Sequence, residues 1–527
     1  MSCKDYYNNL TTTDDDSEVS ATVSSNHRWI ALLIVLMAPF MAILDVYIVF
    51  VSYPSIQHGL HASSDQIQFV IAGYTIAYAV NLVTAGRLGD TYGRKRIFII
   101  GMASFIVTST ICAFAQSPQT LIITRVFQGI AAALMYPQAL SIIQATFTSK
   151  ERNIAIALFG ANVGIAAIAG QILGGFLVQT NLFNLDWRLI FLVNVPLGIG
   201  TIIAASRMVH ESKSEKPIQL DIGGAAILSI ILFLMLYPLI EGRNAGWPLW
   251  MYTAIILSII LIFPFVLFER RLSISKRNDI NKGKRSESVS KLPLMPLSLF
   301  KDRGFIIGTS IVLVFFIGSP VFIFILSFYL QNGLGLSPLT SGLTFLPMGI
   351  GILISSLITP KIVPKLDANV LKIGAFVIII GFGFLIIITG QQGNIGLNWS
   401  QLLPYLFIIG IGQGLVIVPL INVVLSHVKD QKHIGAVSVI LSTMIQIGIS
   451  IGIALIGSIF FGMVGTGYIT THIHSYSNNL DIKMHYYNNA LISSMIYTVI
   501  FIITTLFLVF LLPSRSHKEK SQQVKNI

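Results

Sequence analysis

Two residues of opposite charge, Asp45 and Arg125, fall inside apolar stretches long enough to cross a bilayer, while the other strongly ionisable side chains are kept to the loops. A carboxylate in the hydrocarbon region costs at least a few kcal/mol, so an acid retained there is a functional candidate whose partner has to be named. The chemistry open to such a pair is uptake and release of a proton. Apolar surroundings disfavour the charged carboxylate, a guanidinium beside it favours the charge, and a group poised between the two can change state with conformation. A fixed structural ion pair is the alternative.

A second concentration of charge is Gly86-Arg87-Leu88-Gly89-Asp90-Thr91-Tyr92-Gly93-Arg94-Lys95-Arg96, with three glycines, one acid and four bases in a short turn. Glycine permits the tight backbone. Asp90 can accept from a helix N-terminus, and Arg94 can pair with a carboxylate or a helix C-terminus. The segment would then gate the protein at that end, or serve as a simple basic anchor. Gly160, Gly164, Ala167, Gln171, Gly174 and Gly175 share about a 100° arc of an ideal helix, with Gly170 beside them, and such a small-residue stripe lets another helix approach closely. Phe315, Phe322 and Tyr329 recur every seven residues and, with Gln128, are candidates to line a substrate cavity; packing or lipid contact is the competing role for the aromatics.

Other chemistries are disfavoured. His58, His61, His472, His474 and His485 have no pair of acidic partners nearby, so no metal site is expected. No Gly-x-x-x-x-Gly-Lys-Ser/Thr loop appears, which argues against ATP as the energy source. Cys3 and Cys112 are too far apart in the chain's layout to meet, and neither is expected to carry chemistry.

The elements that must position these residues are membrane spans. Hydrophobic residues make up 54% of the 527 and charged residues 11%, well below the quarter or so of soluble domains. Crossing a core of ~30 Å at about 1.5 Å per residue takes about 20 apolar residues, and fourteen such stretches lie between residues 29 and 512. Thirty of the 34 Lys and Arg fall on the side holding the N-terminus; the exceptions are Arg125, Arg188, Arg243 and Lys483. The net charge of +12 is therefore read as topology, with both termini cytoplasmic, rather than as a nucleic-acid footprint. No cleaved signal peptide is expected. The layout is an N-terminal tail (1–28), a six-helix half (29–207), an inserted helix pair (208–268), a basic linker (269–304), a second six-helix half (305–512) and a C-terminal tail (513–527). An echo of the 86–96 loop at Pro360 to Lys372 supports duplicated halves, a transporter architecture.

Depth tests the pair. Rising from residue 29, Asp45 stands ~24 Å above one edge of the core, and Arg125, descending from residue 120, stands ~7 Å below the other. Both lie in the outer half of a ~30 Å core and can be neighbours.

Gly86 to Arg96 resembles the signature loop of the major facilitator superfamily, and Leu121-Ile-Ile-Thr-Arg125-Val-Phe-Gln128-Gly129 is similar to that family's second signature. Ile43 to Pro54, around Asp45, resembles the first-helix signature of its fourteen-helix drug:proton antiporter branch. So do Asp186-Trp187-Arg188 with Phe191, Asn194, Pro196 and Gly198; Glu241-Gly242 with Gly246-Trp247; and Phe328-Tyr329-Leu330-Gln331 leading to Gly335, Ser337-Pro338, Gly342 and Leu346-Pro347. The ordered set covers nearly all of 30–512. One departure stands in span five, where the antiporter signature is similar to Gly170 through Gly174-Gly175 but has proline at the position of Gln171. Gln171 keeps a backbone donor that proline would remove, and adds an amide.

The resemblance implies an all-α integral membrane protein of the major facilitator fold, two six-helix halves plus two inserted helices. It implies a secondary transporter rather than an enzyme: a monomer in the cell membrane that exports lipophilic, monocationic or neutral compounds in exchange for protons, without cofactor, metal, ATP or nucleic acid. Asp45 would be the proton site and Arg125 its modulator, with Gly86, Arg87, Gly89, Asp90, Gly93 and Arg94 forming the cytoplasmic gate. An exporter or uniporter of a defined metabolite, or a membrane sensor, are the competing readings.

Overall fold

Caps and prolines decide where the helices begin. Ser63 and Gln66 form a reciprocal capping box, Ser63 Oγ accepting from the Gln66 backbone N–H (3.2 Å) and Gln66 Oε1 from that of Ser63 (2.9 Å), which satisfies two donors that a helix start leaves open. Ser117 before Pro118 and Ser337 before Pro338 start two further helices, each hydroxyl accepting from the backbone N–H three residues on, proline's fixed φ suiting the first turn. Asp302 caps another by accepting from the N–H groups of Gly304 and Phe305. Gly93, at φ +110°, makes the corner between the second and third helices, where a side chain would be strained.

The computed structural model describes residues 25–147, 149–213, 221–242, 245–281, 299, 302–391, 398–426, 434–473 and 479–512. Residues 1–24, which include Cys3, the connector from 282 to 298, Arg243, His474 and the C-terminal tail lie outside these. Among the described residues there are fourteen helices long and apolar enough to cross a membrane: α1 His27–Leu60, α2 Ser64–Tyr92, α3 Arg94–Ala113, α4 Pro118–Thr146, α5 Ile154–Thr180, α6 Asp186–Met208, α7 Gly223–Glu241, α8 Leu249–Leu272, α9 Arg303–Gly333, α10 Pro338–Thr359, α11 Asn369–Gln391, α12 Trp399–Ile417, α13 Val439–Gly465 and α14 Lys483–Phe510. The chain is a multi-pass membrane protein. Several helices outrun the apolar stretches, and the helix containing α8 continues to Asn281, into the segment read as linker. The longer helices take in Asp65, Asp90, Asp186, Glu241 and Glu269 near their ends, leaving Asp45 as the one carboxylate of the described spans that is far from a helix end.

Helices α1–α6 and α9–α14 form the two halves. They meet where α1 packs on α9, α2 on α13, and α5 on α10. The last two pairings exchange under a rotation that carries α1–α6 onto α9–α14, as a duplicated chain requires. The inserted pair sits outside this seam: Leu228, Leu232 and Leu236 of α7 share one apolar cluster with Ala72, Ala79 and Val80 of α2 and Ile447 and Ala454 of α13. The end of the bundle carrying residues 86–96 is called the basic end below, and the opposite one the far end.

Candidate functional site

Five helices of the first half converge on Asp45, which is fully buried midway along α1. Arg125, in the second turn of α4, pairs with Asp45 Oδ2 through Nη1 and is equally buried. The same Nη1 donates to Gln128 Oε1 (2.7 Å) and Nε to the Val70 carbonyl of α2 (3.2 Å). The guanidinium carbon lies 4.2 Å from the centroid of the Tyr74 ring, a cation–π contact. Asp45 Oδ1 accepts from Gln128 Nε2 (3.0 Å) and from Asn194 Nδ2 of α6 (3.1 Å). Ser109 of α3 accepts from both amides, at 2.8 and 3.4 Å. An ion pair so enclosed is tolerated because both carboxylate oxygens and the Nε and Nη1 donors are taken up, while Nη2 has no hydrogen-bond partner.

The expected neighbours Asp45 and Arg125 are thus brought together. Gln128, a candidate cavity residue, is fully buried here, held in the cluster because its amide answers both charges at once. Asn194, Ser109 and Tyr74 complete the site. Asn194 belongs to the Asp186-to-Gly198 segment, whose resemblance to the antiporter branch was its only signal. Phe315, Phe322 and Tyr329 are also fully buried and pack within the second half. Phe322 meets Phe382 edge-on at 4.7 Å, Phe315 meets Phe316, and the Tyr329 hydroxyl donates to Asn488 Oδ1 at 2.6 Å. In this conformation they fill the core and line no open cavity.

The stripe on α5 does what its small residues allow. An alanine at Gly170 would put its Cβ 2.8 Å from the Leu44 carbonyl oxygen of α1, and one at Gly174 would sit 2.6 Å from Val51. Gly175 faces the other way, its missing Cβ replaced by the Pro338 carbonyl of α10, and Gly164 looks toward Ile352 at 3.8 Å. Gln171 bridges the halves. Its Nε2 donates to the Tyr47 carbonyl of α1 (3.0 Å) while its Oε1 accepts from Ser327 Oγ of α9 (3.3 Å). Gln331, in a π-helical turn of α9, donates to the Val51 carbonyl (2.7 Å). Tyr53 of α1 packs among Phe324, Phe328 and Phe461 of the second half, with centroids 5.1 to 5.5 Å away. These contacts press the halves together toward the far end. At the basic end of α5, by contrast, a Cβ on Gly160 would meet nothing within 4 Å. Removing the Gln171 amide as Gln171→Leu should loosen the far-end seam. A hydrogen bond is worth about 1 kcal/mol, so an impermeant thiol reagent should label a cysteine introduced at Leu339 about fivefold faster; an unchanged rate would make Gln171 a packing residue only.

At the basic end Asp90 pairs with Arg94 (2.9 Å), and Arg94 also donates to the Ser141 carbonyl of α4 (3.4 Å). Gln138 of α4 lies over Gly89, where no side chain would fit, and donates to the Ala85 carbonyl at 2.8 Å. Glu211, just past α6, accepts from the backbone N–H groups of Lys95 and Arg96 (3.0 and 3.2 Å) opposite Gly93 and so caps α3. Arg87 sits in the field of Asp221 and Glu269, which flank the inserted pair. Gly86 faces Val439 of α13 at 3.9 Å. Of the loop's described contacts, those of Gly89, Gly93 and Arg94 are with the first half, and that of Gly86 with Val439 is with the second.

The family model of the Major Facilitator Superfamily matches residues 35–237 and 222–453. The chain belongs to the major facilitator superfamily. It is 34% identical to the probable actinorhodin transporter of Streptomyces coelicolor over 83% of this chain and 73% of that one. The tetracenomycin C resistance and export protein of Streptomyces glaucescens is 30% identical over 86% and 80% of the two chains. The multidrug resistance protein Stp of Mycobacterium tuberculosis is 30% identical over 80% and 73%. These relatives place the facilitator in the drug-efflux branch. A bacterial homologue of the human lysosomal transporter Spinster, crystallised inward-facing and unoccupied, shares the fold with a TM-score of 0.59 at 16% identity, covering 93% of this chain and 98% of that one.

Proposed function

We propose that this facilitator exports lipophilic monocationic or neutral compounds from the cytoplasm by alternating access, driven by inward proton movement through Asp45. The observation that carries the reading is a carboxylate fully buried midway along α1 whose ion-pair partner, Arg125, and two amides all come from neighbouring helices of one half. A shift of those helices changes the donors around the acid and hence its charge. Coupling then requires that proton and substrate favour different states. The far-end seam through Gln171, Gln331 and Tyr53 fits a state closed on the outer side, and the Asp90–Arg94 loop fits a latch that engages the second half when the basic end closes. Relatives named for drug export support the substrate class and a bacterial plasma membrane. Cells with and without the protein, loaded with a lipophilic dye and treated with a protonophore, test it. Lower accumulation that the protonophore abolishes is expected; accumulation indifferent to the protein or to the protonophore contradicts it.

Substrate charge gives a sharper expectation. The described spans offer a cation one carboxylate far from a helix end, already needed for the proton, and desolvating two positive charges against it is costly. Monovalent cationic dyes should therefore be exported better than rigid divalent ones, and equal or faster export of the dication would mean that an acid near a helix end, such as Glu241 or Asp186, enters the cavity. Two relatives are named for single compounds, actinorhodin and tetracenomycin C, which favours a second reading: one dedicated compound instead of many.

A further inference from the structure

Asn194 is fully buried, its Nδ2 donates to Asp45 Oδ1, and its own Oδ1 has no hydrogen-bond partner. That arrangement matters when Asp45 takes up a proton, because a carboxylic acid needs an acceptor where the carboxylate needed a donor. Asp45 Oδ2 faces the Arg125 guanidinium, which has no acceptor. Oδ1 faces two amides. Gln128 is locked: its Oε1 accepts from Arg125 Nη1 at 2.7 Å while its Nε2 reaches both Asp45 and Ser109, so reversing it would turn donor against donor. Asn194 is held besides only by the 3.4 Å contact of Nδ2 to Ser109 Oγ, a hydroxyl that can donate to a reversed amide's oxygen, and the terminal torsion of an asparagine side chain is broad.

We propose that Asn194 is a positioning residue that lets the cluster hold Asp45 in both charge states by reversing its amide, so that the proton resides on Oδ1 of Asp45. In the charged state Nδ2 donates to the carboxylate and Oδ1 is unpaired. In the neutral state Oδ1 accepts the Asp45 O–H and Nδ2 is unpaired. Each state leaves one end of the amide unbonded, which makes the two comparable in cost. Nothing is transferred to Asn194; the proton stays on Asp45 until the helices move. The titratable groups acting on Asp45 are Arg125 from α4, Tyr74 from α2 and Cys112 from α3. Of the other helices packed on α1, α5 and α10 carry no charged residue, and α6 and α9 carry theirs near their ends, at Asp186, Arg188, Arg207 and Arg303.

The inference rests on Asp45 being the proton site, and the experiment separates the two. Protons released on adding a lipophilic cationic dye to the purified full-length protein are measured against pH for the wild type, Asp45→Asn, Asn194→Val and Asn194→Thr. Asp45→Asn should release none; undiminished release there overturns the proton-site reading and this inference with it. Valine removes both amide roles, and bonds to a charged group are the stronger, so the midpoint of release should rise by about one pH unit. Threonine has valine's shape and a hydroxyl that donates or accepts, and should restore the midpoint. A midpoint for valine equal to the wild type, with Asp45→Asn silent, overturns the amide switch alone. Should the valine variant not fold, infrared difference spectra of the wild type between acid and alkaline pH decide it. An Asp45 carboxylic band accompanied by a side-chain amide change supports the switch, and the band without that change refutes it.

Discussion

Asp45→Asn is expected to abolish uphill efflux, lowering it at least about fivefold if the coupling free energy is in the usual range of about 1–3 kcal/mol, while energy-independent exchange of substrate across the membrane persists. The amide has the carboxylate's shape and can still accept from Arg125, which also keeps Gln128 Oε1, the Val70 carbonyl and the face of Tyr74. What asparagine lacks is a second charge state. Substrate binding should change little, while the Arg125 charge left without its partner should lower stability, by about 3–5 kcal/mol at most. Energised efflux by this variant would remove Asp45 from the mechanism.

Arg125→Leu should have the other large effect. Deleting one partner of a buried ion pair is worth about 3–5 kcal/mol because the remaining charge is stranded. Asp45 would keep the Gln128 and Asn194 amides but lose its only countercharge, and the acid avoids the penalty by holding its proton. Release then requires more alkaline conditions, so the pH optimum of transport should move upward by about one to three units, the range for losing an opposite charge at contact distance. The variant should also melt at lower temperature, most visibly at alkaline pH. Adding Asp45→Asn to it should recover much of that stability without recovering transport. An unchanged pH profile would mean the pair is structural and titration occurs elsewhere.

The Asp45–Arg125 pairing was legible because two elementary quantities, rise per residue and membrane thickness, place both side chains at one depth. The stripe on α5 was legible for a similar reason, since helical period fixes which residues share a face. Its partners were not: that Gly170 meets α1 while Gly175 meets α10 depends on how the halves dock. Ser109 and Asn194 escaped notice as site residues because single uncharged polar groups are tolerated in spans for many reasons, and only the convergence of α3 and α6 on Asp45 singles them out. Phe315, Phe322 and Tyr329 show how far spacing alone leaves a role open. Their seven-residue spacing is real, but the face they define turns into the second half's core. Helix ends were short in the sequence reading because hydropathy measures the apolar core, whereas caps such as Ser63 with Gln66 set where the hydrogen-bonded helix begins. Glu211 capping α3 could not be foreseen, since it lies 116 residues from Lys95.

The central claim, export of a lipophilic compound driven by protons through Asp45, is tested most directly in sealed proteoliposomes with an imposed pH gradient and no nucleotide, following a monocationic dye and the internal pH together. The wild type should move dye against its concentration gradient while protons move the opposite way, and both fluxes should stop in Asp45→Asn and after addition of a protonophore. Uphill dye movement that leaves the pH gradient untouched, or that Asp45→Asn sustains, would contradict the account.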